Sequence, residues 1–512
     1  MLAGTNARGV PSLPAGGGLV VDEVSQEITE GGWSDGNNIR FRDGYAQKSE
    51  GYQSVLTAPP ATAYHVASYP YGTTRYWIHS GLANTYADDG TTQTDITGTA
   101  LTGTADNRFT SCVLGGVFVM NNQADVPKYW GGTGTLTSLT GWDANHRCKA
   151  IRSHKNYLWA LGITKSSTYY GSMVKRSDVA APGSIPTTWT PASSNDADEF
   201  DLAETSDNVV DGLAMGDVFV VYKDRSAYGL QFTGNANVYR AFRLPGGHGM
   251  LTQSCAAEFP GGHVVLTPGP DLVIHQGGEP KSILQGKMRR WLGSAISSQY
   301  FNRAFVQANP AKYEVWCCFP SGSSSSCNKA LIWNYNENTF AVRDLPSIYD
   351  ADTGPLDVTS TNTWAADTDT WDSDDTAWDA VDISLADRRL VMGGSSLYLF
   401  DQKNTANGTA ETSRLERTGL AFGDPTGVKL LRRILPRIDG PTGATVTFQV
   451  GGSNDAETSP AWSTPIAYTI GSSKWVDCFA SGRFLGVRIT SSGSVRWRIK
   501  SIGFDVIPLG MY

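Results

Sequence analysis

The chain runs to 512 residues; 40% are hydrophobic, 11% aromatic and only 18% charged, with 56 glycines and 24 prolines. So little charge with so much glycine and aromatic content excludes a disordered chain and argues against a helical bundle, and the length allows roughly two to four domains. The net charge of -8 argues against a sequence-specific DNA reader, which needs a basic face, but suits a wall that lets DNA pass without gripping it.

The first thirty residues carry Arg8 but no apolar run of signal-peptide length. No stretch reaches the ~18 consecutive apolar residues of a transmembrane helix, so neither an export signal nor a membrane span is expected. Residues 1–60 read as an N-terminal arm and an opening hairpin that turns at Asp43-Gly44.

From residue 61 a single element recurs: a short apolar strand, a polar or glycine turn, and a second strand carrying aromatics. Copies begin at Tyr76, Val117, Tyr157, Val218, Val264, Val315 and Leu390, at intervals of 40 to 75 residues. Four-stranded units repeated at about 40–50 residues are the signature of a β-propeller, so 61–411 is expected to be one, with six or seven blades. A run of hairpins that never closes is the alternative. Asp89-Gly90 and Pro268-Gly269-Pro270 supply the positive or fixed φ its turns require.

Two insertions interrupt the pattern, at 175–208 and 346–387. The second places Trp364, Trp371 and Trp378 seven residues apart, among eight aspartates between Trp364 and Asp387 and no lysine or arginine. Asp and Thr are weak helix formers, so an exposed loop or hairpin extension is expected, with the indoles packing on one another or on a partner. Asp367, Asp369, Asp372, Asp374 and Asp375 are oxygen donors that suit Ca²⁺, but they lack EF-hand spacing, and metal binding stays open. One helix is predicted over Lys287–Ser298, where Met288, Trp291, Leu292 and Ile296 share a face.

Residues 412–512 change character, carrying +5 and leaving -13 to the rest. Strand-like stretches between Gly, Pro, Ser and Asn turns predict an antiparallel β-sandwich. Arg432, Arg433 and Arg437 crowd one strand and are candidates for a basic docking face.

Catalytic signatures are missing. No phosphate-binding glycine loop, zinc-protease helix or nucleophile elbow occurs. The stretch Ser373–Trp378 only loosely approaches the aspartate box of sialidase-like propellers. The seven histidines, all within the first 275 residues, lack ligand spacing and read as structural. The seven cysteines, Cys112, Cys148, Cys255, Cys317, Cys318, Cys327 and Cys478, include no C-x-x-C and read as reduced packing residues of a protein folded in a reducing cytosol. Adjacent Cys317 and Cys318 should point to opposite faces of a strand. No cofactor is expected.

Several stretches resemble the tail nozzle or tail hub (tail tubular) proteins of short-tailed, podovirus-like bacteriophages. They are GGWSDGNNIRFRDGYAQKSEGY (31–52), VKRSDVAAPGSIPTTW (174–189), EFDL (199–202), GDVFVVYKDRSAYGLQFTG (216–234), AFRLPGGHG (241–249), CNKALIWNYNENTFAVRDLP (327–346) and SGRFLGVRITS (481–491). Ser177, Trp189, Lys223, Ser226, Tyr228, Phe242 and Gly249 follow the order such chains show. The resemblance implies a structural virion protein rather than an enzyme: an all-β chain, a propeller body with insertions and a C-terminal sandwich, assembled as a homohexameric ring in the virion tail. That ring lies below the adaptor or head-to-tail connector proteins, seats tail fibres, and conducts and retains double-stranded DNA for genome ejection. The acidic Trp loop is then expected to project into the lumen or toward a fibre, and the basic C-terminal sandwich with its Arg432 strand to dock on the adaptor ring or brace neighbouring subunits. The competing expectations are a propeller glycoside hydrolase or depolymerase, and a receptor-binding tail module.

Overall fold

The computed structural model describes residues 11–234, 238–356 and 388–511. The fold is all-β: nine sheets, antiparallel apart from one contact between Ala406 and Tyr52, and among the described residues a single α-helix, Arg289–Ala295.

Six sheets are four-stranded meanders in strict chain order, and their first strands are His65–Tyr71, Thr110–Leu114, His146–His154, Val209–Met215, Ala256–Phe259 and Phe305–Asn309. A seventh sheet begins with Asp350–Pro355, Arg388–Gly393 and Leu397–Phe400, and its fourth strand comes from the other end of the chain: Gln53 of Tyr52–Ser54 pairs with Leu399. Each of the seven expected hairpins is the second and third strand of one sheet. The second strands are buried on both faces, because each sheet lies between two others; Val117–Asn121 and Glu314–Phe319 have no exposed residue. Hence Cys317 and Cys318, on opposite faces, are both at 0% exposure. All seven cysteines are unpaired. The first strands pack in succession from sheet to sheet, and Asp350–Pro355 packs back on His65–Tyr71, so the order comes full circle.

The stretch 175–208 is held at a few buried points, among them Ser177, Ala180, Trp189, Ala197 and Leu202, with most of its turns exposed. It delivers the fourth strand of the third sheet, Asp198–Asp201, and buries Trp189 edge-on against Trp142 at 4.8 Å.

The last two sheets, like the seventh, which Thr405–Ala406 and Thr409–Ala410 complete, have six strands each. One runs Ile39–Arg42, Tyr45–Lys48, Arg498–Met511, Gly427–Asp439 and Val476–Gly482, with Ser12–Pro14 on Arg498–Met511. The other runs Asp35–Asn37, Ser413–Leu420, Phe484–Ser491, Thr445–Ser453 and Ala461–Trp462, with Ile466–Thr469 on Thr445–Ser453. Period-2 alternation sends Val446, Phe448, Val450, Val487 and Ile489 of one sheet and Ile434, Ile499, Ile502 and Phe504 of the other into a shared core. The 1–60 arm thus contributes strands to three sheets, including the opening hairpin Ile39–Lys48.

Where the arm crosses itself only glycine fits. A Cβ on Gly16 would stand 2.5 Å from the Gly44 carbonyl carbon, and one on Gly17 would stand 2.4 Å from that of Gly31. Beside this crossing Trp33 is fully buried and its Nε1–H donates to the Ala15 carbonyl at 2.8 Å. The helix is shorter than the predicted Lys287–Ser298 and has no local cap. Asp22 of the arm supplies it: the carboxylate accepts the Arg290 and Trp291 amides at 2.6 and 3.0 Å.

Candidate functional site

The first strands of the seven ring sheets surround a cavity of about 850 Å³. Strand alternation presents at least one polar side chain from each: His65, Thr110, Arg152, Asp211, Glu258, Gln307 and Asp350, with Asp352 beside Asp350 on the same face.

Two of its ion pairs are seams between sheets. Arg152 grips Asp211 bidentately, Nε to Oδ1 at 2.8 Å and Nη2 to Oδ2 at 2.6 Å, and also donates to the Ser111 carbonyl at 3.1 Å. Asp211 accepts the Ser254 amide as well, so three consecutive sheets and the turn leading into a fourth meet at one guanidinium–carboxylate pair. Between the seventh sheet and the first, Asp350 Oδ2 lies 2.6 Å from His65 Nδ1 and accepts the Val66 amide at 3.2 Å. Asp352 accepts the Ser68 amide at 2.8 Å, and Trp77 Nε1–H donates to the Pro355 carbonyl.

A carboxylate only accepts, so His65 donates from Nδ1 to Asp350 and its Nε2 points away from that carboxylate. That atom has no hydrogen-bond partner among the described residues, in a side chain only 4% exposed. Burial pushes the Asp352 carboxyl up to about 6, against the pull of the Ser68 and Thr353 amides. Across the cavity, burial holds His263 down at about 4 and therefore neutral; its Nε2–H donates to the Ala214 carbonyl at 2.8 Å. Glu258 and Arg388 have no ion-pair partner among the described residues.

Trp364, Trp371, Trp378, Asp367, Asp369, Asp372, Asp374 and Asp375 lie outside the described residues. Pro355 and Arg388, which flank that stretch, are cross-strand partners at the end of the seventh sheet. Among the described residues no group of three or more His, Cys, Asp or Glu is placed to hold a metal ion, and no helix is long and apolar enough to cross a membrane.

Arg432, Arg433 and Arg437 are all exposed, on the outer face of a C-terminal sheet and away from the cavity. A bulge between Leu431 and Arg433 lets the two successive arginines both face solvent. Arg432 pairs with Asp505 at 3.1 Å, and Arg433 pairs with Asp477 at 2.7 Å while lying over the Trp475 ring at 5.0 Å. Two residues beyond Asp477 on the same strand is Phe479, 74% exposed.

Sequence reasoning missed the cavity because its groups are spread over nearly 300 positions, one or two per strand. The only local signal was the alternation Asp350-Ala351-Asp352. The residues that carry the tail-protein resemblance are framework: Lys223 is fully buried, its ammonium donating to the Leu202 and Thr205 carbonyls at 2.9 Å and pairing with Asp207 at 3.2 Å, and the Ser177 hydroxyl accepts the Leu158 amide.

No family profile matches this chain, and no curated protein matches it. Among 277 matching chains of solved structures is the crystal structure of the computationally designed Ika8 protein, crystal packing No.1 in P63. It is 10% identical over 68% of this chain and 99% of that one, with a TM-score of 0.37, too loose a likeness to carry an argument.

Proposed function

We propose that this chain is a structural tail protein: a seven-bladed β-propeller joined to a β-sandwich, six copies of which form the nozzle or hub ring that conducts and retains double-stranded DNA and seats adaptor and fibre proteins. The circular packing order of the seven sheets supports the propeller, as does the completion of the last sheet by Tyr52–Ser54. The shared core of the two six-stranded sheets supports the sandwich.

The observation that carries the assembly reading is the outer face around Phe479. Monomeric proteins seldom expose large apolar side chains in groups. Here Phe479 and Leu509 are 74% and 57% exposed on one sheet, with Trp475, 43% exposed, just ahead of the Phe479 strand, in company with Arg432, Arg433 and Arg437. Aromatic and arginine side chains together are the composition of an interface centre.

The glycosidase reading needs a pair of carboxylates free to act on one bond. Asp211 is committed to Arg152 and Asp350 to His65, which leaves Asp352 and Glu258 as the carboxylates of the cavity that this reading would have to use.

Native mass measurement and two-dimensional image classes of the full chain test the proposal. Six copies in a closed ring with an axial channel are expected, and Phe479→Ser with Arg433→Glu should release folded single subunits. A wild-type chain that stays monomeric or trimeric at micromolar concentration overturns it.

A further inference from the structure

The chain contains a single Asn-Gly step, Asn407-Gly408, and it lies beside the fourth strand of the seventh sheet. It forms the two-residue turn between Thr405–Ala406 and Thr409–Ala410, with φ of 46° and 84°, the paired positive angles of a type I′ hairpin. The turn does more than reverse the chain. Tyr52 and Ser54 turn a carbonyl and an amide out of the edge of their strand that faces away from Leu397–Phe400, and Asn407 takes both. Its own N–H donates to the Tyr52 carbonyl at 2.7 Å, and its Oδ1 accepts the Ser54 amide at 3.1 Å. One side-chain amide thus stands in for a peptide group of a neighbouring strand. The same side chain is open to attack by the backbone next to it. Asn407 and Gly408 are both exposed, the Gly408 amide has no hydrogen-bond partner among the described residues, and nothing lies within 4 Å of where a Gly408 Cβ would stand. The Ser54 amide is also placed to stabilise negative charge developing on Oδ1 when Cγ is attacked.

We propose that Asn407 is a site of spontaneous deamidation, with water as the co-reactant, and that its conversion loosens Tyr52–Ser54 from the outer edge of the seventh sheet. Attack needs the Asn407-Gly408 peptide to swing toward Cγ, a motion that an exposed two-residue turn permits. Water or hydroxide takes the Gly408 amide proton, and the nitrogen bonds to Asn407 Cγ. The Cγ–Nδ2 bond breaks, and ammonia leaves carrying the returned proton. The cyclic imide then takes up one water. Opening at one carbonyl gives aspartate, which keeps an acceptor for the Ser54 amide. Opening at the other gives isoaspartate, whose main chain runs through Cγ and is longer by one methylene. That longer chain cannot hold the two-residue turn with both bonds to Tyr52 and Ser54 in register. The inference concerns bonds within one chain, so it does not depend on the number of copies in the assembly.

Peptide mapping of the full chain, fresh and after ageing in mildly alkaline buffer, tests it, with isoaspartyl methyltransferase labelling to mark the isoaspartate product. Asn407 is expected to convert before any other asparagine, and faster as the pH rises, because the attacking nitrogen must first lose its proton. Gly408→Ala, which puts a methyl group beside that nitrogen, should slow the conversion at least tenfold. In hydrogen exchange the Ser54 amide should lose protection in the aged chain in proportion to its isoaspartate content, lose it likewise in Asn407→Ala, and keep it in Asn407→Asp. The proposal is overturned if Asn407 survives ageing, if another asparagine converts sooner, if Gly408→Ala converts as fast as the wild type, or if Ser54 is equally protected in the fresh and aged chains.

Discussion

Arg40 Nε of the opening hairpin lies 2.8 Å from Glu314 Oε1 of the sixth ring sheet, with both side chains at 2% exposure or less. The hydrogen bond of the pair runs from Nη2 to Oε2 at 3.0 Å. The same guanidinium reaches Asp401 at 2.6 Å and Glu50 at 3.2 Å, and Arg343, fully buried, shares Asp401 at 3.2 Å. Burial pushes the Glu314 carboxyl up against the pull of Arg40. Burial acts on Asp401 too, but Arg40 and Arg343 together hold it below the usual range. This cluster locks the hairpin, and through it the C-terminal sheets, to the sixth and seventh ring sheets.

Removing one member of a buried ionic cluster strands the rest. Arg40→Ala is expected to cost about 3–5 kcal/mol, and adding Glu314→Gln should recover part of it, because one uncompensated charge goes with it. Urea midpoints of the single and double variants measure both effects. A loss under about 1 kcal/mol for Arg40→Ala would show that the cluster contributes little.

Tyr222 stands between two histidines, its hydroxyl 2.8 Å from His263 Nδ1 and 3.0 Å from His275 Nδ1. Since His263 Nε2–H donates to Ala214, its Nδ1 accepts from the phenol, and His275 must donate to the same oxygen. Both rings are thus neutral, and burial lowers both pKa values, His263 to about 4. A histidine lowered from 6.5 binds fewer protons folded than unfolded between pH 4 and 6.5. Its stabilisation is therefore complete above pH 6.5 and is lost as the pH falls toward 4, by about 2–3 kcal/mol for His263. His263→Gln should flatten the pH dependence of the urea midpoint between pH 7 and 5, and Tyr222→Phe should cost about 1–3 kcal/mol at pH 7. Equal slopes for wild type and His263→Gln would place the acid sensitivity elsewhere.

Asp352 works in the opposite sense. Its carboxyl is raised to about 6, so the folded chain holds a proton that the unfolded chain has lost between pH 4 and 6. Stability falls as the pH rises through that window, and at pH 7 the ionised group carries the full penalty, reduced because the side chain borders the cavity. Asp352→Asn keeps an acceptor for the Ser68 amide and should gain about 1 kcal/mol at pH 7 and nothing at pH 4. Thermal midpoints at the two pH values decide it, and an equal shift at both would show that ionisation is not the cause.

The helix depends on a cap from nearly 270 residues away. Asp22→Ala should cost about 0.5–2 kcal/mol, and Asp22→Asn, which keeps an acceptor, much less. Amide exchange at Arg290 and Trp291 reads this directly, and unchanged protection in Asp22→Ala would show that the carboxylate does not cap.

The seven ring hairpins were legible because a strand buried on both faces must be apolar without a break, as in Val117–Asn121, and because glycine and aspartate mark the reversals after it. The fourth strands were not. Lys281–Ser282 and Thr137–Ser138 are two residues each, too short for any period to register. The helix was placed from the spacing of Met288 and Leu292 but overextended, since its N-terminal limit is set by Asp22 and no local residue announces it. The arginine strand was legible as charge, while the exposed Phe479 beside it was not, because an apolar residue within a strand reads as core.

The sequence alone determined the all-β class, the order of the hairpins and the change of character near residue 412. These follow from composition and from periods that span only a few residues. Tertiary structure alone decided the closing partners: Tyr52–Ser54 in the seventh sheet, Ile39–Lys48 beside Arg498–Met511, and His65 against Asp350 some 285 positions away. Pairing at that range is chosen by whichever edge leaves no backbone donor or buried charge without a partner, and that condition belongs to the assembled fold rather than to any stretch of chain.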